Sequence, residues 1–393
     1  MSHTAQRTTD VRKTPALRYC KLCVLPSTRP NLAFDAAGVC QACRTHAQRP
    51  DVDWAAREKD FRTLADGVKR RTGGYDCVVP VSGGKDSTWQ ILKCLEYGLR
   101  PLAVTWKTPA RTAVGQRNLD NLVALGVDHI DWQVSPKVEA RFMLKAFERF
   151  GSTAIPMHLA IFSMPLRIAA DFGIPLVVWG ENSAIEYGNA ETAQAGHKLD
   201  RKWLSTYGVT HGTGAADWVD EELSSKDLAA YFGPDPDALE ARGTRAVFLG
   251  HYFAWDPETS HAAARAHGFR ANAEGSRTGY YDFADIDDDF ISIHHWMKWY
   301  KFGFTRLFDN LALEIRNGRI TREQAMHVIR RSGGQTPVKD IEKFCSFAGI
   351  SMARFFDIAE RYRNRDIWLQ KDGTWTIPGF LIPDWDWREV HPH

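Results

Sequence analysis

The sequence predicts an α/β protein built on a parallel sheet with helices on both faces. Three observations predict it. Short β-branched runs alternate with amphipathic stretches over residues 75–180, a Gly-Gly turn joins the first run to the first helix, and two Cys-x-x-Cys pairs precede the arrangement. Strand, crossover helix and parallel strand close right-handed in nearly all folds, which covers both faces of the sheet. The 393 residues are 44% hydrophobic and 25% charged, an ordinary globular composition, long enough for two or three domains. Fifty basic residues against 48 acidic ones leave a net charge of +2. That is too little to wrap nucleic acid or hold an anionic membrane surface. No run approaches about 18 apolar residues, which excludes a membrane-spanning helix. Residues 1–13 lack the apolar stretch of a secretory signal, so the expected location is cytoplasmic.

In chain order, residues 1–18 are polar and read as a disordered tail. Residues 19–58 form a cysteine ribbon and the start of a helical connector over about 54–70, where Trp54, Phe61 and Leu64 are spaced to share one face. The α/β domain is expected over 59–262, with strands at CVVPV (77–81), LAVTW (102–106), VDHIDW (127–132) and IPLVVWG (174–180). Helices fall between them, one near 116–125. Beyond residue 200 the pattern loosens, and AVFLG (246–250) is a further strand candidate. Residues 263–393 read as a helical region, with helices near 288–299, 307–317, 321–331, 337–348 and 351–363.

The most informative segment is Ser82-Gly83-Gly84-Lys85-Asp86-Ser87, which follows an apolar strand and opens a helix. Adjacent glycines let the backbone turn sharply and bring its N–H groups to an anion. The helix N-terminus adds partial positive charge and Lys85 a full one, a pattern suited to pyrophosphate. It is not the Gly-x-x-x-x-Gly-Lys-Ser/Thr loop, because Val79 stands five before Gly84 and Asp86 follows the lysine.

Cys20-x-x-Cys23 and Cys40-x-x-Cys43 can supply four thiolates to one tetrahedral ion. Structural zinc is expected, with an iron–sulfur cluster as the alternative. Cys77, Cys94 and Cys345 read as small core hydrophobes. Asp282, Asp285, Asp287, Asp288 and Asp289 read as complements to a helix dipole rather than as metal ligands. His294 and His295 read as a helix face.

Ser82–Ser87 resembles the SGGxDS signature of the PP-loop ATP pyrophosphatases. The resemblance implies a doubly wound, five-stranded HUP-like parallel sheet with ATP at the carboxyl ends of the strands. Thr105 and Trp106 would then lie near adenine, and Gly180 and Glu181 would face the same crevice. The wider chain resembles the N-acetyl sugar amidotransferases of surface-polysaccharide biosynthesis. The strings behind this are Val104-Thr105-Trp106-Lys107, Gly180-Glu181-Asn182, Glu186-Tyr187-Gly188, Trp255-Asp256 and Lys301-Phe302-Gly303-Phe304-Thr305-Arg306. The resemblance implies conversion of a sugar acetamido group to an acetamidino group with ATP and Mg²⁺. Ammonia would come from a separate glutaminase subunit. Lys85, Asp86 and Glu181 would serve catalysis. Asn182, Tyr187, Lys301 and Arg306 would meet the sugar, the two cations holding a carboxylate or phosphate. Residues 195–245 depart from the family pattern. A tRNA-thiolating PP-loop enzyme is the alternative, disfavoured by the near-zero charge and the lack of a basic, aromatic-interleaved patch.

Overall fold

A computed structural model describes residues 17–48, 51–70, 73–180, 199, 204, 209–332 and 336–387. The cysteine segment ends in a short helix α1 (Gln41–Ala47), and the connector is α2 (Trp54–Lys69), capped by the Asp53 carboxylate on Ala56 N–H. Phe61 of α2 is buried as expected, but Trp54, the first residue of the helix, is 40% exposed.

Five parallel strands follow: β1 (Cys77–Pro80), β2 (Pro101–Trp106), β3 (Asp128–Trp132), β4 (Leu176–Trp179) and β5 (Arg245–Phe248). Their order across the sheet is β3-β2-β1-β4-β5. Helices α3 (Lys85–Glu96), α4 (Ala113–Val123), α5 (Pro136–Phe150) and α6 (Ile155–Asp171) make the crossovers as far as β4. A short α7 (Pro236–Ala241) precedes β5, and α8 (Pro257–Ala266) follows it. The central strands are apolar on both sides because both faces are covered. Cys77 and Val79 pack with Phe61, Ile91 and Leu119 on one face, while Val78 packs with Leu166 and Ala169 of α6 on the other. This is the two-residue alternation of a pleated strand. Helix α4 begins three residues before its expected start, because Thr112 Oγ1 accepts from Gly115 N–H and caps it. Strand order reverses beside β1, between β2 and β4, and such a reversal opens a crevice at the carboxyl ends of the strands.

The C-terminal region contains α9 (Ile291–Phe302), α10 (Arg306–Arg316), α11 (Arg322–Ser332), α12 (Val338–Ala348) and α13 (Met352–Arg361). It closes with an antiparallel hairpin, β6 (Leu369–Lys371) and β7 (Thr374–Thr376), that the sequence pattern did not suggest. Trp299, Phe308, Phe344 and Phe355 share one core with Cys20, Cys23, Val24 and Leu25. The cysteine ribbon thus docks on the C-terminal helices, held by Thr28 Oγ1 donating to the Phe302 carbonyl, Arg29 to Asp309, and Arg322 to the Cys23 carbonyl. No helix among the described residues is long and apolar enough to cross a membrane.

Candidate active site

At the end of β1 the chain turns through Ser82, Gly83 and Gly84 into α3. Gly83 has φ +87°, and a Cβ there would lie 2.7 Å from Leu119 N and 3.0 Å from the Gly115 carbonyl oxygen. Only glycine allows the turn to rest this closely on α4. Ser82 Oγ accepts from Gly84 N–H, while Ser87 and Thr88 hydroxyls donate to the Gly84 carbonyl, fixing the first turn of α3. That turn opens on a cavity of about 460 Å³. Its polar lining includes Ser82, Gly84, Asp86, Ser87, Arg111 and Asp287, and its apolar lining Val104, Trp106, Ile161, Phe162, Trp179 and Phe248. Thr105 and Gly180 also line it. A side chain at Gly180 would collide with the Gln90 amide. Polar groups at a helix N-terminus together with apolar walls fit the phosphates and base of a nucleotide.

Asp86 reaches the cavity, but Lys85 does not line it. The Lys85 ammonium sits 2.5 Å from Asp86 Oδ2, and 5.4 and 5.9 Å from the ring centres of Trp255 and Phe283. Trp255 Nε1 donates to Asp86 Oδ1. The expectation that Lys85 itself faces the pyrophosphate is therefore corrected: in this structure it holds the back of Asp86.

Behind the cavity, Trp106 Nε1 and the Tyr231 hydroxyl both donate to Glu139 Oε1, at 3.1 and 3.0 Å. Burial pushes the Glu139 carboxyl up to about 7, against the pull of these two donors.

Polar lining residues that the sequence did not single out as site residues include Gln90, Thr108, Arg111, His158, Asp287 and Asp288. Arg111 is held by a two-pronged ion pair with Asp131, at 2.6 and 2.7 Å, and donates to Gln116. The acidic run before α9 also departs from expectation. Residues 286–289 dock on 110–112 through Thr112 N–H to the Asp287 carbonyl, Thr112 Oγ1 to the Ile286 carbonyl, and Asp289 N–H to the Ala110 carbonyl. This places Asp287 and Asp288 in the cavity wall. Burial raises both carboxyls, Asp288 to about 7; the Ser82 hydroxyl pulls Asp287 the other way, and the Phe290 N–H does so for Asp288. Only that Phe290 bond resembles the expected helix-end role. Asp289 pairs instead with Arg277 and Lys343, and Asp285 with Arg306.

Lys301 and Arg306 do not line the cavity. Lys301 donates to the Phe150 carbonyl, and Arg306 lies 3.6 Å from Asp285. Glu181, Asn182 and Tyr187 lie outside the described residues.

The four ribbon cysteines are buried, and their sulfurs lie within 4.8 Å of one another. Cys20 and Cys43 Sγ are 3.9 Å apart, and Cys23 and Cys40 Sγ 3.7 Å. Four thiolates at about 2.3 Å from a tetrahedral zinc stand about 3.8 Å from each other, so the set fits a closed structural metal centre. Backbone N–H groups of Cys23 and Cys40 point at Cys20 Sγ, a further feature suited to a thiolate.

The five-stranded parallel sheet with an SGGKDS turn at its reversal point is the arrangement that the PP-loop resemblance implies. Residues 274–379 match the family described as LPS biosynthesis protein WbpG-like, C-terminal domain. The match covers the C-terminal part of the chain and supports the family that its motifs resemble. Among solved structures it is similar to NMN synthetase from Francisella tularensis, at 13% identity and a TM-score of 0.31 over 70% of this chain and 96% of that one. It is also similar to NAD⁺ synthetase from Burkholderia pseudomallei, at 15% identity and a TM-score of 0.26 over 59% and 94%. Both likenesses are too distant to bear on activity. No curated protein matches by sequence.

Proposed function

We propose that this chain is an ATP-dependent amidotransferase that converts the acetamido group of an N-acetylated sugar to an acetamidino group, with ammonia from a separate glutaminase. The observation that carries the reading is the SGGKDS turn, opening at the sheet's reversal point into a cavity with polar and apolar walls, in a chain with a WbpG-like segment.

An amide carbon is a poor electrophile, and its oxygen a poor leaving group. Attack of the acetamido oxygen on the α-phosphorus of ATP forms a P–O bond and releases pyrophosphate. Ammonia then adds to the activated carbon and loses a proton, and AMP departs with the oxygen. The chain's part is to orient the triphosphate and meet the charge that grows on the leaving pyrophosphate. The loop N–H groups and the α3 N-terminus supply donors, with Arg111 in the wall of the same cavity. Asp86 would hold Mg²⁺, which neutralises phosphate charge when bound. The four cysteines would hold zinc with no open position, in a structural role. A thiolating enzyme needs a reactive sulfur beside the loop, and Cys77 and Cys94 are fully buried.

The deciding experiment supplies the full chain with ATP, ammonium chloride and a panel of N-acetylated sugars. AMP and pyrophosphate release that depends on both ammonia and a sugar is expected. Release of ADP and orthophosphate instead would overturn the reading.

A further inference from the structure

Amidine formation needs a base. Ammonia's lone pair makes the new C–N bond, and the imidate C=N pair moves onto the sugar nitrogen, which takes one proton. A second proton must leave the added nitrogen before its lone pair can form the amidine C=N bond and break the C–O bond to AMP. Five proton-exchanging side chains line the cavity among the described residues: Asp86, Arg111, His158, Asp287 and Asp288. Arg111 stays charged at any working pH. Both carboxylate oxygens of Asp86 are engaged, by Lys85 at 2.5 Å and by Trp255 Nε1 at 3.0 Å. His158 Nδ1 lies 2.7 Å from the Ala154 carbonyl oxygen and donates its proton there; burial holds the ring down at about 4, a weak base at neutral pH. Asp287, though raised by burial, accepts from the Ser82 hydroxyl of the phosphate turn and feels the Arg111 charge.

Asp288 differs from all four. It is 8% exposed, its Oδ1 accepts from Phe290 N–H at 3.0 Å, and the Thr108 hydroxyl is its other donor. No cation pairs with it among the described residues. The charged groups that face it are Asp287 and Asp289 of its own segment and Glu139 of α5, while Arg111, its backbone bridge partner, pairs with Asp131 instead. Burial, with Asp287 and Asp289 beside it, pushes the carboxyl up to about 7 against the pull of Phe290 and Thr108. A base works best when its pKa lies near the working pH. We propose that Asp288 is the catalytic base that takes the proton from ammonia as it adds to the activated acetamido carbon. The Thr108 hydroxyl, whose oxygen accepts from Ala110 N–H, positions the carboxylate. Asp288 reaches the wall through the fold-back of 286–289 on 110–112, so the WbpG-like segment supplies this base and not the sheet. The proposal rests on the reading that the cavity takes ATP and an acetamido sugar.

The test uses the full chain with ¹³Cγ-labelled aspartate, the Asp288 signal being assigned with Asp288→Asn. Its titration is expected to centre near pH 7, and to move higher in Thr108→Val, which deletes a donor to the carboxylate. Turnover is followed with the N-acetylated sugar of the panel that supports AMP release. The wild-type rate per free ammonia should rise with the same midpoint and then level off, and Thr108→Val should shift that midpoint upward. Asp288→Asn should lower ammonia-dependent AMP release roughly 100-fold, and about tenfold more than it lowers sugar-dependent ATP–pyrophosphate exchange without ammonia. Hydroxylamine in place of ammonia should recover most of the loss, because its adduct is a stronger acid and gives its proton to water. An ordinary carboxyl midpoint, equal losses in exchange and release, or no recovery with hydroxylamine would overturn the proposal. Where Asp288→Asn loses its cooperative melt, Thr108→Val decides, and an unmoved rate profile overturns the role. If no sugar supports AMP release, the amidotransferase reading falls, and the carbon titration alone then keeps or overturns Asp288 as a base.

Discussion

Gly115→Ala tests whether the C-terminal segment helps to build the nucleotide site. Gly115 is the third residue of α4, where alanine is favoured over glycine by roughly 0.8–1.0 kcal/mol on helix propensity alone. The structure opposes that gain. A Cβ at Gly115 would lie 2.6 Å from Asp287 Cα and 2.9 Å from its Cβ and carbonyl oxygen. Carbon atoms in contact prefer about 3.5–4.0 Å, so the 286–289 segment must retreat by about 1 Å. Three hydrogen bonds hold that segment to 110–112, and at roughly 0.5–1.5 kcal/mol each their loss costs about 1.5–4.5 kcal/mol. The net expectation is destabilisation by about 1–3 kcal/mol. With the segment displaced, Asp287 leaves Ser82, and ATP affinity should fall by roughly five- to tenfold, the equivalent of one lost polar contact. Thermal melting and ATP calorimetry on the same preparation read both effects. A higher melting temperature with unchanged ATP affinity, the outcome that propensity alone dictates, would refute the reasoning.

Other perturbations separate the remaining roles. Glu139→Gln preserves an oxygen for the Trp106 and Tyr231 donors and removes the buried charge. The Glu139 pKa is raised from 4.5 to about 7, so the folded state binds its proton more tightly, and wild-type stability falls as pH rises between those values. The variant should therefore gain on wild type by on the order of 3 kcal/mol from pH 4 to pH 8 in denaturant melts; a pH-independent difference sinks the assignment. Cys20→Ser should lower the bound zinc measured by plasma emission and lower the melting temperature, because the ribbon shares its core with the C-terminal helices. Metal-free wild type with an unchanged melt would count against a structural metal. Asp86→Ala should slow AMP formation in single turnovers more than Lys85→Ala does, since Lys85 acts through Asp86. A direct pyrophosphate contact would make Lys85→Ala cost about 3–4 kcal/mol, and a lysine loss as large as the aspartate loss would restore that role.

What could be read from the sequence was what is local. The strands at Cys77, Pro101 and Leu176 announce themselves as apolar runs bounded by turns, and the SGGKDS turn carries its chemistry within six residues. Helix α8 was legible and passed over: Asp256 before Pro257 is a helix start, and its carboxylate accepts from Glu258 and Thr259 N–H. Arg111, His158 and Asp288 were not legible in the same way. Each becomes a lining residue only because residues 286–289 fold back on 110–112 and α9 packs near the first turn of α6, contacts that span more than 130 positions of sequence.

Lys85 shows where a motif stops informing. On an α-helix successive side chains diverge by about 100°, so 85, 86 and 87 cannot all face one cavity. Asp86 and Ser87 do, and the lysine is left against Trp255 and Phe283. Trp255 lies just before α8, while Phe283 and Asp287 belong to the WbpG-like segment at 274–379. The same segment thus supports the back of the loop through the Lys85 cage and its front through Asp287 on Ser82. A phosphate loop gripped on both sides by this segment ties nucleotide geometry to the packing of the C-terminal region. Loosening the segment should therefore weaken ATP binding even when no residue of the loop itself is changed.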